Sequence, residues 1–244
     1  MHIQVQNLCK TFGANRVLDG VTLDFAPGKI TVVLGGSGTG KSVLLKHLVG
    51  ILQPDSGTVL VDGRDISQLK ERELLPIRMR IGLLFQGGAL LNSLNVEQNV
   101  GLGLREHGLY PEKEVRRIVQ EKLTLMGLSD KGREMPANLS GGMRKRVALA
   151  RTLTMNPEAI LYDEPTAGLD PPRSGRVDAL IREMSEKTKV TSVLVTHDMV
   201  SAFGLADYIY FLYRGKVIEA GTPDEFRQTK NEIVQRFINR DPAG

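Results

Sequence analysis

Hydrophobic positions along the chain repeat with two different periods. Between residues 3 and 34 the short β-type runs "IQVQ", "VTLDF" and "ITVVL" are separated by the turn-forming stretches "FGAN" and "APGK". "TVLVDGRDI" (58–66) adds a further strand carrying an Asp-Gly turn, so these segments predict a small antiparallel layer. Three later runs, "IGLLF" (81–85), "AILYD" (159–163) and "SVLVTH" (192–197), are short, rich in β-branched or aliphatic residues and separated by helical patterns, and predict buried strands of a mostly parallel sheet. Roughly residues 88–157 predict a helical subdomain. In "EKEVRRIVQEKLTLMGL", Val115, Ile118, Val119, Leu123 and Met126 recur every three or four residues, and the pattern stops at Gly127. The stretch "GTPDEFRQTKNEIVQRFI" predicts one more helix, capped by Thr222, with Pro223 in its first turn and Glu225 closing a capping box. Burial of Phe226, Val234 and Phe237 or Ile238 gives that helix a structural role, with no site expected on it. The pattern as a whole is α/β, read as one domain over 1–244 with no repeat and no interdomain linker.

Composition narrows the class. Hydrophobic residues make up 41% and charged residues 25%, which excludes fibrous and disordered chains. The longest unbroken apolar run is "YIYFLY" (208–213), far below the ~20 residues that span a bilayer as a helix. No secretory signal is visible at the amino terminus, and the single Cys9 cannot form an internal disulfide, so a cytosolic location is expected. The balance of 32 Lys+Arg against 28 Asp+Glu, a net +4, contains no block of five or more like charges and discriminates little between partners.

The sharpest chemistry lies in "GGSGTGKS", residues Gly35, Gly36, Ser37, Gly38, Thr39, Gly40, Lys41 and Ser42, which matches G-x-x-x-x-G-K-[ST]. It follows a predicted buried strand and precedes the helical run "SVLLKHLVGIL", the context a phosphate cradle requires. Glycines let backbone N–H groups converge on phosphate oxygens at a helix N-terminus. Lys41 is the point charge for the β- and γ-phosphates, and the Ser42 hydroxyl is a ligand for Mg²⁺. The run "AILYDE" adds Asp163, suited to holding Mg²⁺ through water, and Glu164, suited to orienting or deprotonating an attacking water. Together they imply a hydrolase acting on a nucleoside triphosphate.

A second glycine-rich helix start, "NLSGGMRKR", places Ser140, Gly141 and Gly142 about a hundred residues after the cradle. By the same dipole argument it is a second anion site, although an N-cap serine followed by flexible glycines has the same local sequence. Nucleotide kinases, GTPases and motor ATPases remain open on the cradle alone.

With "LSGGM" about twenty residues before a strand ending in Asp-Glu, the chain resembles the ATP-binding-cassette (ABC) ATPases over essentially its whole length. Gln86 after "IGLLF" is similar to the family's Q-loop, "AGLD" (167–170) to its D-loop, and His197 after "SVLVT" to its H-switch. Met143 stands where glutamine is commoner, and "AGLD" where "SALD" is frequent; neither change removes a group that touches phosphate or metal. The resemblance implies ATP as ligand and a head-to-tail homodimer in which Ser140, Gly141 and Gly142 of one copy cap the γ-phosphate held by the other. It also implies that Gln86 contacts Mg²⁺ and the water, that Asp170 crosses the interface, and that His197 bonds the γ-phosphate. Phe12, in "KTFGANRVL", falls where the family stacks an aromatic on adenine, and a place in the core of the antiparallel layer is its alternative.

The span "LLFQGGALLNSLNVEQNV" (83–100), with Met143, is similar to the ATPases of Mla/Mce-type lipid transporters. That likeness implies a subunit driving phospholipid transport between inner and outer membranes, docked on the cytoplasmic side of the inner membrane. Its implied partners are a permease, an MCE-domain protein and a small STAS-domain protein. The motor of another solute transporter, or of a cell-division complex, has the same chemistry. A soluble ABC ATPase acting on nucleic acid is disfavoured, because only about a hundred residues, without cysteines, separate cradle and signature.

Overall fold

The computed structural model describes residues 1–239. The chain begins with the hairpin β1 (Ile3–Phe12) and β2 (Asn15–Phe25); β3 (Ile30–Leu34) then runs into α1 (Lys41–Leu48). A second hairpin, β4 (Ser56–Val61) and β5 (Arg64–Asp65), turns at Asp62 and Gly63, whose φ values of 49° and 80° are those of the primed turns that match strand twist. Helix α2 (Glu71–Arg78) leads to β6 (Ile81–Leu84), and the helical section follows as α3 (Val96–Val100), α4 (Leu102–Glu106), α5 (Glu112–Leu125) and α6 (Gly141–Leu153). Beyond it come β7 (Ala159–Asp163), α7 (Pro171–Thr188), β8 (Thr191–Thr196), α8 (Met199–Leu205), β9 (Tyr208–Tyr213), β10 (Lys216–Gly221), α9 (Pro223–Arg227) and α10 (Glu232–Ile238).

Two sheets result. One is antiparallel with order β2-β1-β4-β5; the other has order β10-β9-β3-β8-β7-β6, parallel except for the β9–β10 hairpin at its edge. This second sheet includes Ile30–Leu34, which the sequence pattern groups with the antiparallel layer but which pairs in parallel with β8 and β9. Alternation along the buried strands divides the interior. Val32, Leu34, Ile160, Tyr162, Leu194 and Phe211 face the helical side, whereas Val33, Leu161, Val193, Val195 and Leu212 face the antiparallel layer. Because β3, β7 and β8 are covered on both faces they carry no polar alternation, and each fully buried aliphatic side chain contributes roughly 1.5–3 kcal/mol.

The parallel register places functional loops side by side. Leu34 pairs with Thr196, Asp163 with Val195, and Leu84 with Tyr162, so the chain leaves β3, β8, β7 and β6 along one edge of the sheet. Neighbouring strands lie ~4.8 Å apart, and a ligand at the carboxyl ends can meet all four loops.

The final helix departs from the sequence expectation. Thr222 and Glu225 do form the capping box, with Pro223 in the first turn, but the segment 221–238 is two helices, α9 and α10, broken at Gln228. A second cap explains the break: the Asn231 side chain accepts from the Ile233 N–H, and its own N–H donates to the Thr229 hydroxyl. Phe226 and Val234 are buried as expected.

On α3, Asn99 is fully buried and makes four hydrogen bonds to the stretch that precedes the helix. Its amide donates to the carbonyls of Leu91, Leu94 and Asn95, and its oxygen accepts from the Leu91 N–H. Replacing Asn99 by Ala strands those groups and is expected to cost about 3 kcal/mol in denaturant unfolding, whereas a loss under ~0.5 kcal/mol would mean that the loop satisfies itself.

Candidate active site

The phosphate loop is shaped by steric necessity at two glycines. Gly40 has φ +102°, and a Cβ there would lie 2.9 Å from the Val17 carbonyl; a Cβ on Gly35 would lie 2.4 Å from the Leu212 carbonyl. Both positions exclude any larger residue. The loop feeds α1, whose first residue, Lys41, is only 6% exposed. Its ammonium donates to the carbonyls of Gly35 (2.8 Å) and Gly36 (2.7 Å) and lies 3.5 Å from Glu164 Oε1. Burial pulls its pKa below the usual lysine range, opposed by the charges of Glu164 and Asp163. Thr39 closes the loop by donating to the Gly36 carbonyl at 3.0 Å.

Next to it the Ser42 hydroxyl donates to Asp163 Oδ1 at 2.8 Å. Burial raises the Asp163 pKa, while that hydrogen bond opposes the rise. Two hard oxygen donors this close form a donor set suited to Mg²⁺.

Glu164 follows β7 with φ 47°, a left-handed conformation that costs a non-glycine residue about 1 kcal/mol or more. Its N–H donates to the Val195 carbonyl at 3.0 Å, which ties it to the neighbouring strand. Oε2 accepts from the Thr196 hydroxyl (3.1 Å) and from the His197 N–H (3.4 Å), and meets His197 Nδ1 at 2.9 Å. The carboxylate is thus 8% exposed yet held by four groups. Its bond to His197 fixes the Nδ1–H tautomer and leaves Nε2 available.

Lys41, Ser42, Gln86, Glu164 and His197, with Ser37, Gly38 and Gly40, line one cleft of about 520 Å³. Ser140, Gly141, Gly142 and Asp170 stand apart from it. Ser140 is exposed and caps α6 by accepting from the Met143 N–H at 3.3 Å; Ser140 and Gly142 line a separate small hollow of about 140 Å³ with Arg146, Arg173 and Arg176. Asp170 caps α7 by accepting from the Arg173 N–H at 3.0 Å, and Arg173 Nε returns to it at 3.3 Å. Phe12 sits at the tip of the first hairpin, 46% exposed under the Lys10 ammonium, which excludes its alternative as a core residue.

Sequence reasoning passed over several contributors. Lys145 and Arg151, both on α6, donate to main-chain carbonyls of the 86–89 turn. Arg236 and Phe237 of α10, assigned a purely structural segment, line a second cleft of about 510 Å³ with Glu164, His197 and the 166–169 stretch. The spacing of Gly142, Lys145, Leu149 and Thr152 on the buried face of α6 was the available signal for Lys145.

A family profile described as ABC transporter matches residues 18–167. The probable ribonucleotide transport ATP-binding protein mkl of Mycobacterium leprae is 42% identical over 97% of this chain, which spans 68% of that protein. The intermembrane phospholipid transport system ATP-binding protein MlaF of Haemophilus influenzae is 40% identical over 99% of this chain and 92% of its own length. Among solved structures, the dimeric post-hydrolysis state of the ATP-binding cassette MJ0796 bound to ADP and Pi superposes with a TM-score of 0.83 at 31% identity, covering 91% of this chain and 98% of that one. The chain therefore belongs to the ABC transporter family, as an ATP-binding cassette that hydrolyses ATP.

Proposed function

We propose that the chain is the ATPase subunit of a membrane transporter that moves phospholipids or related lipids, working as a homodimer against a permease. The observation that carries the lipid reading is the span 83–100. It is the stretch similar to Mla/Mce ATPases, and its Leu83, Phe85 and Ala89 line a mostly apolar groove of about 520 Å³ together with Leu75, Met79, Leu102 and Met155, with Arg78, Glu106, His107 and Arg151 also in its lining. Phe85 and Leu75 are 40% and 48% exposed, and such a patch beside Gln86 suits an amphipathic helix of a permease. Among the described residues no helix is long and apolar enough to cross a membrane, so in this reading attachment to the cytoplasmic face runs through that groove. The MCE- and STAS-domain partners complete the same reading.

In the cleft the chemistry follows from the side chains. Lys41, with the 35–42 amides, binds the β- and γ-phosphates. Ser42 and Asp163, with Gln86, are the residues that hold Mg²⁺, which when bound neutralises phosphate charge. Glu164 accepts a proton from water as the water oxygen bonds to the γ-phosphorus and the bond to the β–γ bridging oxygen breaks, giving ADP and phosphate. His197, oriented through Nδ1 by Glu164, offers Nε2 to the γ-phosphate. Phe12, exposed at its hairpin tip, stacks on adenine. Ser140, Gly141 and Gly142, being outside the chain's own cleft, serve the γ-phosphate in a second copy, with Asp170 at the interface. The dimeric form of the MJ0796 cassette supports that arrangement.

Purification from the native membrane is expected to bring down a multi-helix permease and an MCE-domain protein. Recovery with an amino-acid or metal-ion permease instead refutes the lipid reading and leaves an ordinary solute transporter. Leu75→Asp is expected to reduce permease recovery by at least about tenfold with ATP affinity unchanged, since it places a charge in an apolar contact. Undiminished recovery would remove the groove from the interface.

A further inference from the structure

Lys145 is the one residue on the buried face of α6 whose chemistry neither the fold nor the cleft explains. It is 7% exposed, among Gly142, Val147, Ala148 and Leu149. Lysine is almost never buried unless paired, and burial of an unpaired ammonium is costly enough that an apolar side chain would serve stability better. Among the described residues no carboxylate lies within salt-bridge distance of its ammonium. Its hydrogen bonds run to two main-chain carbonyls, those of Gln86 and, at 3.3 Å, Glu164. The negative charges of Asp163 and Glu164 help to hold the ammonium against burial.

Those two carbonyls belong to the turn after β6 and to the strained residue after β7. Each carries a side chain of the cleft. The donor is on the helix capped by Ser140, so one side chain joins two loops to that helix, three segments far apart in sequence. Glu164 has the left-handed φ of 47° that surrounding structure must enforce, and its backbone is fixed from one side by the Val195 carbonyl. Lys145 supplies the hold from the other side. The 86–89 turn is gripped again by the same helix, where Arg151 donates to the carbonyls of Gly88 and Ala89, both at 2.8 Å. A helix of 13 residues, ~20 Å long, is a stiff rod, so these grips keep a constant spacing.

We propose that Lys145 is a positioning residue for hydrolysis: by clamping the main-chain carbonyls of Gln86 and Glu164 to the signature helix, it sets the Glu164 carboxylate and the Gln86 loop in the geometry that turnover requires. The inference rests on the reading of Glu164 as the base. Lys145 does not line the cleft, so its removal is expected to act on the rate of the chemical step and to spare phosphate binding, which belongs to Lys41 and the 35–42 amides. A residue that merely filled the core would lower stability and leave turnover per folded molecule intact.

The test uses the full chain with ATP and Mg²⁺, comparing Lys145→Met, Lys145→Gln and Lys145→Arg for kcat, KM, equilibrium ATP affinity and Tm. Lys145→Met is expected to lower kcat by roughly tenfold or more with KM and ATP affinity within about twofold of wild type, and Lys145→Arg, which keeps a cationic donor, to recover most of the loss. If Lys145→Met does not fold, Lys145→Gln carries the comparison, with a kcat loss of at least about threefold expected at unchanged affinity. Turnover within twofold of wild type, or losses of kcat, affinity and Tm in parallel across all three variants, overturns the clamp. Glu164→Gln measured alongside separates the failures: if it keeps turnover, the base assignment falls and Lys145 loses its purpose, whereas an inactive Glu164→Gln beside a fully active Lys145→Met overturns the clamp alone.

Discussion

Replacing Glu164 by Gln is expected to lower ATP hydrolysis by at least about a hundredfold, the usual scale of a general base, while preserving ATP binding. The substitution is nearly isosteric and keeps an oxygen to accept from the Thr196 hydroxyl and the His197 N–H, so the backbone turn at Glu164 should stand. What it removes is the proton acceptor, together with a negative charge 3.5 Å from Lys41 Nζ. With that charge gone the cleft repels a polyphosphate less, and affinity for ATP should hold or rise. Bound ATP that cannot be cleaved should trap a two-copy assembly, visible as an ATP-dependent dimer in size-exclusion chromatography with light scattering. Undiminished turnover removes Glu164 from the base role; loss of both turnover and binding assigns it to the cradle.

The second large effect is expected at Lys41. Its ammonium is the cation inside the loop, and charge-assisted hydrogen bonds to phosphate contribute roughly 1.5–3 kcal/mol each. Lys41→Ala should therefore weaken ATP binding by about ten- to a hundredfold or more, measured by titration with a fluorescent ATP analogue. The removal also strips Glu164 of its nearest cation, leaving a largely buried carboxylate held only by Thr196 and His197. A small fall in Tm should accompany the loss of affinity. Unchanged affinity would count against the 35–42 loop as the phosphate cradle. The contrast between the two variants is diagnostic: Glu164→Gln separates turnover from binding, and Lys41→Ala abolishes turnover through binding.

Much of this arrangement is legible in the sequence because local geometry dictates residue type. Gly35 and Gly40 admit no Cβ, so the cradle writes itself as glycines. Strands buried on both faces, such as β7 and β8, write themselves as largely apolar runs, and the polar residue ending each, Asp163 or Thr196, marks the carboxyl edge beside which Glu164 and His197 lie. Less legible are side chains whose partners are main-chain carbonyls distant in sequence. Lys145, Arg151 and Asn99 are polar residues on helices, and each donates to carbonyls of the 86–95 loop or of Glu164. The spacing on α6 marks Lys145 as inward-facing, but no local pattern names the carbonyls these side chains meet, because the contacts exist only once the sheet brings β6 and β7 under α6. The break between α9 and α10 escaped notice for a related reason: apolar residues keep a helical spacing across it, while a second cap at Asn231 decides the geometry. That the short C-terminal helix places Arg236 and Phe237 at a cleft with His197 likewise depends on tertiary packing alone.

The proposed pairing of the two glycine-rich helix starts rests on the separation of residues 140–142 from the cradle within one chain. Ser140 is exposed and Gly141 partly so, and Ser140 and Gly142 line a hollow separate from the cleft that holds Lys41 and Glu164, which fits the proposal that they meet a phosphate held by a second copy. Helix α6 directs its positive end outward, in keeping with an anion supplied by another copy. The most direct measurement is a crystal structure of the Glu164→Gln protein grown with ATP and Mg²⁺. Residues 140–142 of one copy should lie within hydrogen-bond distance of the γ-phosphate cradled by residues 35–42 of the other; the same residues turned to solvent in every assembly would contradict the account.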